Sequence, residues 1–324
     1  MSMSSGHGLT SSAFDPASVD EETRQLNELI EKTLAAVPPI HTRIPAEVRR
    51  EREEGKGPFP PLQISPLARE RDVAGPRGTI KLRMFERPEA RAVYFHIHGG
   101  GWTIGGAHHQ DPLLAALAEA CEVTVASVEY RLAPEHPYPA GPDDCEAAAL
   151  WLVENARRTF GTDRLLIGGE SAGAHLAAVT LLRLRDRHGF RGFRAANLVY
   201  GCFDLTLTPS VRRWGERNLI LSTPIIEWFT DQFVPPARRA DPDVSPLHAD
   251  LRGLPAALFT VGTLDPLLDD SLFMHGRWLA AGNRAELAIY PGGMHAFNVF
   301  PGRLASAANR RQAEFLSAVL AAEG

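Results

Sequence analysis

A short apolar segment that stops at a serine between glycines constrains the fold of this chain more than any other feature. Residues 165–168 are apolar, Gly169-Glu170-Ser171-Ala172-Gly173 follows, and a helical repeat of apolar residues begins at once and closes near Gly189. This order predicts a strand, a sharp turn and a helix, with Ser171 on the turn. There the serine oxygen stands above the sheet at the amino end of a helix, which favours negative charge. Ser171 is therefore the candidate nucleophile, although so short a motif also occurs by chance in glycine-rich chains.

Strands and helices alternate along most of the chain, which predicts an α/β fold. Apolar segments occupy residues 92–97, 123–128, 164–168, 196–200, 256–261 and 286–290, and helical patterns occupy 110–120, 142–159, 172–187, 266–281 and 303–322. Repeated units of this kind form a mostly parallel sheet with helices on both faces. Polar and apolar residues alternate at 79–85, which predicts an antiparallel pair of strands at one edge of the sheet. Ligands bind at the carboxyl ends of such parallel strands.

Two parts of the chain fall outside this alternation and are predicted to cap the strand ends. Residues 1–70 carry two helical patterns before any strand. Residues 204–253 form a connection of about fifty residues, too long for an ordinary link, with one helical stretch at 224–233. An irregular surface excursion is the alternative for this insertion. The predicted catalytic core comprises the remaining residues, 71–203 and 254–324.

Composition limits the classes of partner and the compartment. A chain of 324 residues with 44% hydrophobic residues buries a large core, and its net charge of -5 argues against a nucleic-acid surface. No apolar run approaches the roughly 18 residues that a membrane span needs. The segment 1–16 lacks the basic and apolar regions of a secretory signal. The scattered cysteines are predicted to be buried and reduced, which favours a cytoplasmic location; they are Cys121, Cys145 and Cys202.

Three consecutive glycines follow the first central strand, in the string His98-Gly99-Gly100-Gly101-Trp102. Glycines at a strand exit let backbone N–H groups point into a cleft. We predict that the N–H groups of Gly99 and Gly100, with that of Ala172 after the nucleophile, form an oxyanion hole. A phosphate-binding loop is the alternative, but no lysine followed by serine or threonine comes after the glycines, as a P-loop requires.

The acid and the base that would serve Ser171 are expected at later strand exits. Asp265 follows a strand and precedes a proline, so capping of the next helix is its alternative role. Asp269 and Asp270 are rivals, but we expect them inside that helix. His295 follows the last strand in a glycine-rich loop. The order of serine, aspartate and histidine along the chain is that of catalytic triads on sheets of this kind.

The other histidines suggest neither a metal nor a cofactor. His96 and His98 share a strand face, but no cysteine or carboxylate lies at ligand spacing from them. His108 and His109 are expected to open a helix near the cleft, and His175 is expected to be a packing residue. We therefore predict no metal site and no cofactor.

Several motifs resemble the hormone-sensitive-lipase-like family of α/β-hydrolase esterases. They occur in the family's order: His98 to Trp102, Tyr130-Arg131-Leu132-Ala133-Pro134-Glu135-His136-Pro137-Tyr138-Pro139-Ala140, Gly169 to Gly173, Asp265-Pro266-Leu267 and His295-Ala296-Phe297. The string from Tyr130 to Ala140 is highly specific. Glu170 and Ala174 depart from the family, whose members often carry Asp or Thr at the first position and Gly at the second. These departures leave the pocket shape and the sub-group open.

The resemblance implies an α/β-hydrolase fold, with an eight-stranded, mostly parallel sheet under a helical cap. It also implies hydrolysis of carboxylic esters, mostly with short acyl chains, without a cofactor. A homodimer is a further expectation from the resemblance. Relatives that serve as hormone receptors lose the catalytic histidine, whereas this chain retains His295.

We therefore predict a serine carboxylesterase that acts on a small-molecule ester. Asp265 orients His295, which takes the proton from Ser171, and water hydrolyses the acyl-enzyme that follows. Hydrolysis of an amide or a lactone, β-elimination, and a non-enzymatic small-molecule receptor are the alternatives. The aromatic residues predicted to line the substrate pocket, with ordinary core packing as their alternative role, are Trp102, Trp214, Trp228 and Phe233.

Overall fold

The computed structural model describes residues 9–322, so parts of the predicted cap and core segments, 1–8 and 323–324, lie outside the described residues. The strands are β1 Arg69–Gly75, β2 Gly78–Phe85, β3 Val93–Ile97, β4 Thr124–Glu129, β5 Leu165–Glu170, β6 Phe193–Val199, β7 Ala256–Leu264 and β8 Ala285–Met294. The α-helices are α1 Glu21–Ala35, α2 Pro45–Glu53, α3 Asp111–Cys121, α4 Ala140–Phe160, α5 Ala172–His188, α6 Pro209–Trp214, α7 Thr223–Phe233, α8 Leu268–Ala280 and α9 Arg303–Ala321.

The eight strands form a single sheet in the order β1-β2-β4-β3-β5-β6-β7-β8. Strand β2 is antiparallel to both β1 and β4, and each of the other neighbouring pairs is parallel. The predicted fold class is confirmed. The chain runs from β3 outward to β4 and then returns to β5 on the other side of β3. The carboxyl ends of β3 and β5 therefore form the switch point at which sheets of this kind bind ligands.

Helices cover both faces of the sheet, which explains why its central strands are apolar throughout. All five residues of β3 are buried. Successive side chains on a strand point to opposite faces. Phe95 accordingly packs in the cluster that contains Leu152 of α4, whereas Tyr94 packs in the cluster that contains Leu114 of α3 and Phe315 of α9. The two clusters hold the sheet rigidly between helices, so the loops at its edge start from fixed positions.

The amino-terminal helices lie outside the sheet, and the first of them, α1, contacts the last strand. Helix α1 begins after Asp20, whose carboxylate accepts a hydrogen bond from the Thr23 N–H at 2.8 Å. The side-chain amide of Asn27 on α1 donates to the Gly292 carbonyl oxygen on β8 at 2.8 Å. Helix α2 presents no buried residue, as its charged sequence indicates.

The insertion at 204–253 contains two α-helices, whereas the sequence predicted one. The missed helix, α6, has only six residues, too few for a hydrophobic repeat to be recognised. The insertion is anchored to the core by Arg183 of α5, which is 2% exposed and whose Nη2 lies 2.6 Å from Oδ2 of Asp243. It also reaches α1, because Arg217 Nε lies 3.0 Å from Oε1 of Glu31.

The three cysteines are buried and unpaired, as predicted. Among residues 9–322, none of the helices combines the length and the apolar character needed to cross a bilayer.

Candidate active site

Ser171 occupies a tight turn between β5 and α5. Its backbone angles, φ 57° and ψ -121°, belong to a conformation that non-glycine residues rarely adopt. The Ser171 N–H donates to the Val199 carbonyl oxygen at 2.9 Å, which holds the turn against β6. Glycine is required on both sides, because a methyl group at Gly169 would lie 2.2 Å from the Ile97 carbonyl oxygen and one at Gly173 only 1.9 Å from it. The G-x-S-x-G pattern is thus a consequence of packing against the end of β3.

The structure brings together the three residues that the sequence assigned to the triad. Nε2 of His295 lies 2.9 Å from Oγ of Ser171, and Nδ1 of His295 lies 2.9 Å from Oδ2 of Asp265. His295 is 4% exposed and Asp265 is 1% exposed, while Ser171 is partly exposed. This arrangement lets the imidazole accept a proton from the serine while the carboxylate stabilises the charge that results.

Asp265 is not the helix cap that was its alternative role, because α8 begins at Leu268 and its N-cap residue is Leu267. Its second oxygen, Oδ1, accepts the Leu267 N–H at 2.9 Å in the turn that precedes α8. The two other aspartates considered for the catalytic acid have different partners, because Asp269 accepts the Ser210 N–H and Asp270 accepts the Phe203 N–H. The carboxylate of Asp265 is therefore held in place from two directions.

The segment before His295 is strand, not the loop that the sequence predicted. Strand β8 continues through Pro291, Gly292 and Gly293 to Met294. Strand β7 approaches this extension closely, so that a methyl group at Gly262 would lie 2.0 Å from the Gly293 carbonyl oxygen. His295 consequently starts from a strand end rather than from a mobile loop.

The glycine loop after β3 lies directly against the serine turn. A methyl group at Gly99 would lie 2.7 Å from the Glu170 carbonyl oxygen and 3.4 Å from Cβ of Ser171. Gly100 has φ 117°, and a methyl group there would lie 2.1 Å from the Ile104 carbonyl oxygen. Both glycines are partly exposed, whereas Ala172 is buried at the start of α5. The loop thus lies beside the side chain of Ser171.

Two neutral histidines fix this loop and take no part in the triad. His98 stacks on Tyr130 at 4.2 Å between ring centroids, and its Nδ1 lies 2.8 Å from the Gly99 carbonyl oxygen. His175 lies between Trp102 Nε1, at 3.0 Å, and the Val244 carbonyl oxygen, at 2.7 Å. Burial lowers the pKa of each imidazole to about 4. His175 is a packing residue, as predicted.

The aromatic residues predicted for the pocket occupy different environments. Trp102 and Phe233 are buried and stack on each other with ring centroids 4.7 Å apart. Trp228 is partly buried and packs on Phe229 at 5.0 Å. Trp214 donates from Nε1 to the Arg217 carbonyl oxygen within the insertion. Trp102 and Phe233 thus pack against each other. That the four aromatic residues line the substrate pocket remains a prediction.

Sequence reasoning missed two groups beside the triad. Glu170 is 7% exposed, and its Oε2 lies 3.0 Å from Nε2 of His96, whose Nδ1 lies 2.8 Å from Oγ of Ser127. The ring of Tyr200, at the end of β6, packs on His295 with centroids 4.7 Å apart. The position of Tyr200 directly after a strand could have indicated a place near the site. No sequence pattern connects Glu170 to a histidine on another strand.

The sequence is similar to those of known hydrolases. A family described as alpha/beta hydrolase fold matches residues 94–299. The carboxylesterase NlhH of Mycobacterium tuberculosis is 35% identical over 256 residues, which cover 74% of this chain and 78% of that protein. An ethyl acetate hydrolase of Pseudomonas putida is 34% identical over 229 residues, which cover 68% of this chain and 71% of that protein.

Solved structures give the same result. A hyperthermophilic esterase from the archaeon Pyrobaculum calidifontis superposes with a TM-score of 0.82 at 28% identity, over 91% of this chain and 97% of that chain. The fold and the matched range define the α/β-hydrolase class. Within that class, the chain belongs to the hormone-sensitive-lipase-like family of esterases.

Proposed function

We propose that this protein is a serine carboxylesterase that hydrolyses short-chain carboxylic esters through an acyl-enzyme. The proposal is carried by the hydrogen-bonded triad of Ser171, His295 and Asp265 at the carboxyl edge of the sheet. The names of the relatives support an ester as the bond that is cleaved, since they include a carboxylesterase and an ethyl acetate hydrolase. The second name also supports a short acyl group.

In the proposed reaction, Ser171 attacks the ester carbonyl while His295 takes the serine proton. The backbone N–H groups of Gly99, Gly100 and Ala172 stabilise the oxyanion, and one such donor lowers the barrier by about 2.7–4 kcal/mol. His295 then gives its proton to the departing alcohol. Water, activated by the same imidazole, hydrolyses the acyl-enzyme and restores the serine. Asp265 holds the imidazole in the tautomer that this sequence of transfers needs.

The test is the hydrolysis of p-nitrophenyl acetate, butyrate and decanoate by the wild type and by Ser171→Ala. Ser306→Ala is the matched control, because Ser306 is exposed on α9 and its hydroxyl donates to the Gly302 carbonyl oxygen at 2.9 Å. We expect turnover of the two short esters that Ser171→Ala abolishes and Ser306→Ala leaves unchanged.

Turnover that survives Ser171→Ala would reject the proposed nucleophile. Matched p-nitroanilides test the bond type, because a larger kcat/KM on the amide than on the ester would replace the esterase with an amidase. Absence of turnover together with ligand-induced stabilisation would instead support a small-molecule receptor.

A further inference from the structure

A glutamate and two adjacent histidines converge at the protein surface, apart from the triad. Glu53 is the last residue of α2, and His108 and His109 lie in the turn before α3. Nε2 of His109 lies 2.8 Å from Oε1 of Glu53, and Nε2 of His108 lies 3.0 Å from Oε2. The two imidazole rings meet edge to face, with centroids 4.5 Å apart. Both rings therefore direct the same nitrogen at one carboxylate.

We infer that Glu53, His108 and His109 form a binding site for a divalent transition-metal ion, and that zinc suits these donors best. Two histidines and one glutamate, with a fourth position left for water, form a donor set that zinc proteins use. Imidazole nitrogen also excludes magnesium and calcium as the preferred ions, since both favour oxygen ligands.

The two histidines are less exposed than the glutamate. The side chains of His108 and His109 are 29% and 15% exposed, whereas that of Glu53 is 51% exposed. The three ligand atoms lie within 4.8 Å of one another. Zinc–ligand bonds of about 2.0–2.2 Å in a tetrahedral site hold ligand atoms about 3.4 Å apart. The Glu53 oxygens lie only 2.8–3.1 Å from the two Nε2 atoms, so the exposed Glu53 side chain must swing outward to admit an ion. Rotation of the imidazole rings sets the separation of the two Nε2 atoms, and solvent reaches the fourth position from the Glu53 side.

A simple ion pair is the alternative reading of these contacts. Two histidines that donate to one carboxylate use the same three side chains, with a proton on each Nε2. The two readings differ in what happens when zinc is supplied, because an ion pair takes up no metal. They are therefore separated by direct binding.

A metal at this position would join the cap segment to the loop that carries the predicted oxyanion glycines. Arg49 on α2 already donates from Nη1 to the Thr103 carbonyl oxygen at 2.8 Å. The N–H groups of Thr103 and Ile104 donate in turn to the Gly100 carbonyl oxygen, at 3.1 and 2.9 Å. The cluster adds a second link between α2 and the same segment, a few residues further along. We expect bound metal to raise the melting temperature, because an ion that binds only the folded state stabilises it.

The experiment is calorimetric titration of Zn²⁺ into the full chain, freed of affinity tags and stripped with a chelator. Glu53→Gln and His109→Gln each remove one ligand. His248→Gln is the matched control, because its imidazole pairs with one carboxylate only, that of Asp204 at 3.2 Å. Thermal melts without zinc establish that each variant is folded.

We expect one ion per chain for the wild type and for His248→Gln. Loss of a residue that hydrogen-bonds to a metal ligand weakens metal binding by roughly tenfold or more. Loss of a ligand itself should weaken zinc binding by at least that factor. Zinc should raise the melting temperature of the wild type and the control, but not of the ligand variants. Absence of saturable binding, or binding of equal strength in all four proteins, would overturn the inference. The result is independent of ester hydrolysis, so failure of the proposed function would leave it untouched.

Discussion

Nε2 of His295 lies 2.9 Å from Oγ of Ser171, although 124 residues separate them in the chain. The contact exists because β5 and β8 run parallel in one sheet, so that their carboxyl ends share an edge. The same edge receives Asp265 from β7 and Gly99 from β3. Asp265 and Gly99 each support a prediction.

Asp265→Asn should keep the fold and lower kcat by about 10⁴-fold. The amide would present an N–H to Nδ1 of His295 and so favour the wrong imidazole tautomer. Steady-state kinetics on p-nitrophenyl butyrate, with thermal melts in parallel, measure this. Asp269→Asn is the control, since that carboxylate accepts the Ser210 N–H and does not contact His295. Near-normal turnover by Asp265→Asn would reject Asp265 as the acid.

Gly99→Ala should impair the proposed oxyanion hole. Its methyl group would lie 2.7 Å from the Glu170 carbonyl oxygen, so the loop must move away from Ser171. We expect kcat/KM to fall by about 10²–10³, the effect of losing one oxyanion donor. Gly276→Ala is the matched control, because a methyl group there meets nothing within 4 Å. It should retain activity and gain up to about 1 kcal/mol of stability from better helix propensity. Equal activities of the two variants would contradict the prediction.

Glu170→Ala should destabilise the protein by about 1–3 kcal/mol, the cost of leaving a buried polar group without a partner. The group concerned is His96, which is fully buried and lies 3.0 Å from the carboxylate. Glu170→Gln keeps an oxygen acceptor and should recover most of the loss. Urea unfolding of the wild type and both variants gives the free energies of unfolding. If both substitutions lowered the free energy of unfolding by the same amount, this account of Glu170 would be wrong.

Asp270 should make stability fall as the pH rises toward neutrality. Burial raises the pKa of Asp270 from 3.8 to about 7. Hydrogen bonds from Thr208 Oγ1 and from the N–H groups of Asp204 and Phe203 act in the opposite direction but are outweighed. Between these two pKa values the folded protein binds a proton that the unfolded chain releases. Stability contributed by this group is therefore complete below the unfolded pKa and is lost as the pH rises through the folded one.

Asp270→Asn tests this pH dependence, because the amide can keep the three hydrogen bonds but cannot titrate. Melting temperatures of the wild type and the variant should be compared from roughly pH 5 to pH 8. The melting temperature of the variant minus that of the wild type should increase with pH. A difference that stays constant would show that Asp270 does not titrate in this window.

Local patterns determined the elements of the fold and the candidates for the site. Hydrophobic repeats, turns and helix starts depend on a few neighbouring residues, and so the alternating strands and helices were predicted with errors of a few positions. The serine turn was predicted for the same reason, because close packing leaves room only for glycine at Gly169 and Gly173. Asp265 and His295 were selected because each follows a strand in the expected order.

Contacts between distant segments were decided only by the tertiary structure. Glu53 lies 55 residues from His108, and His96 lies 74 residues from Glu170, so no spacing rule connects either pair. The extension of β8 to Met294 depends on its pairing with Leu264 of β7, and the burial of Trp102 depends on Phe233 from the insertion. Sequence patterns report how a segment folds locally, whereas which side chains meet depends on how the sheet and the helices pack.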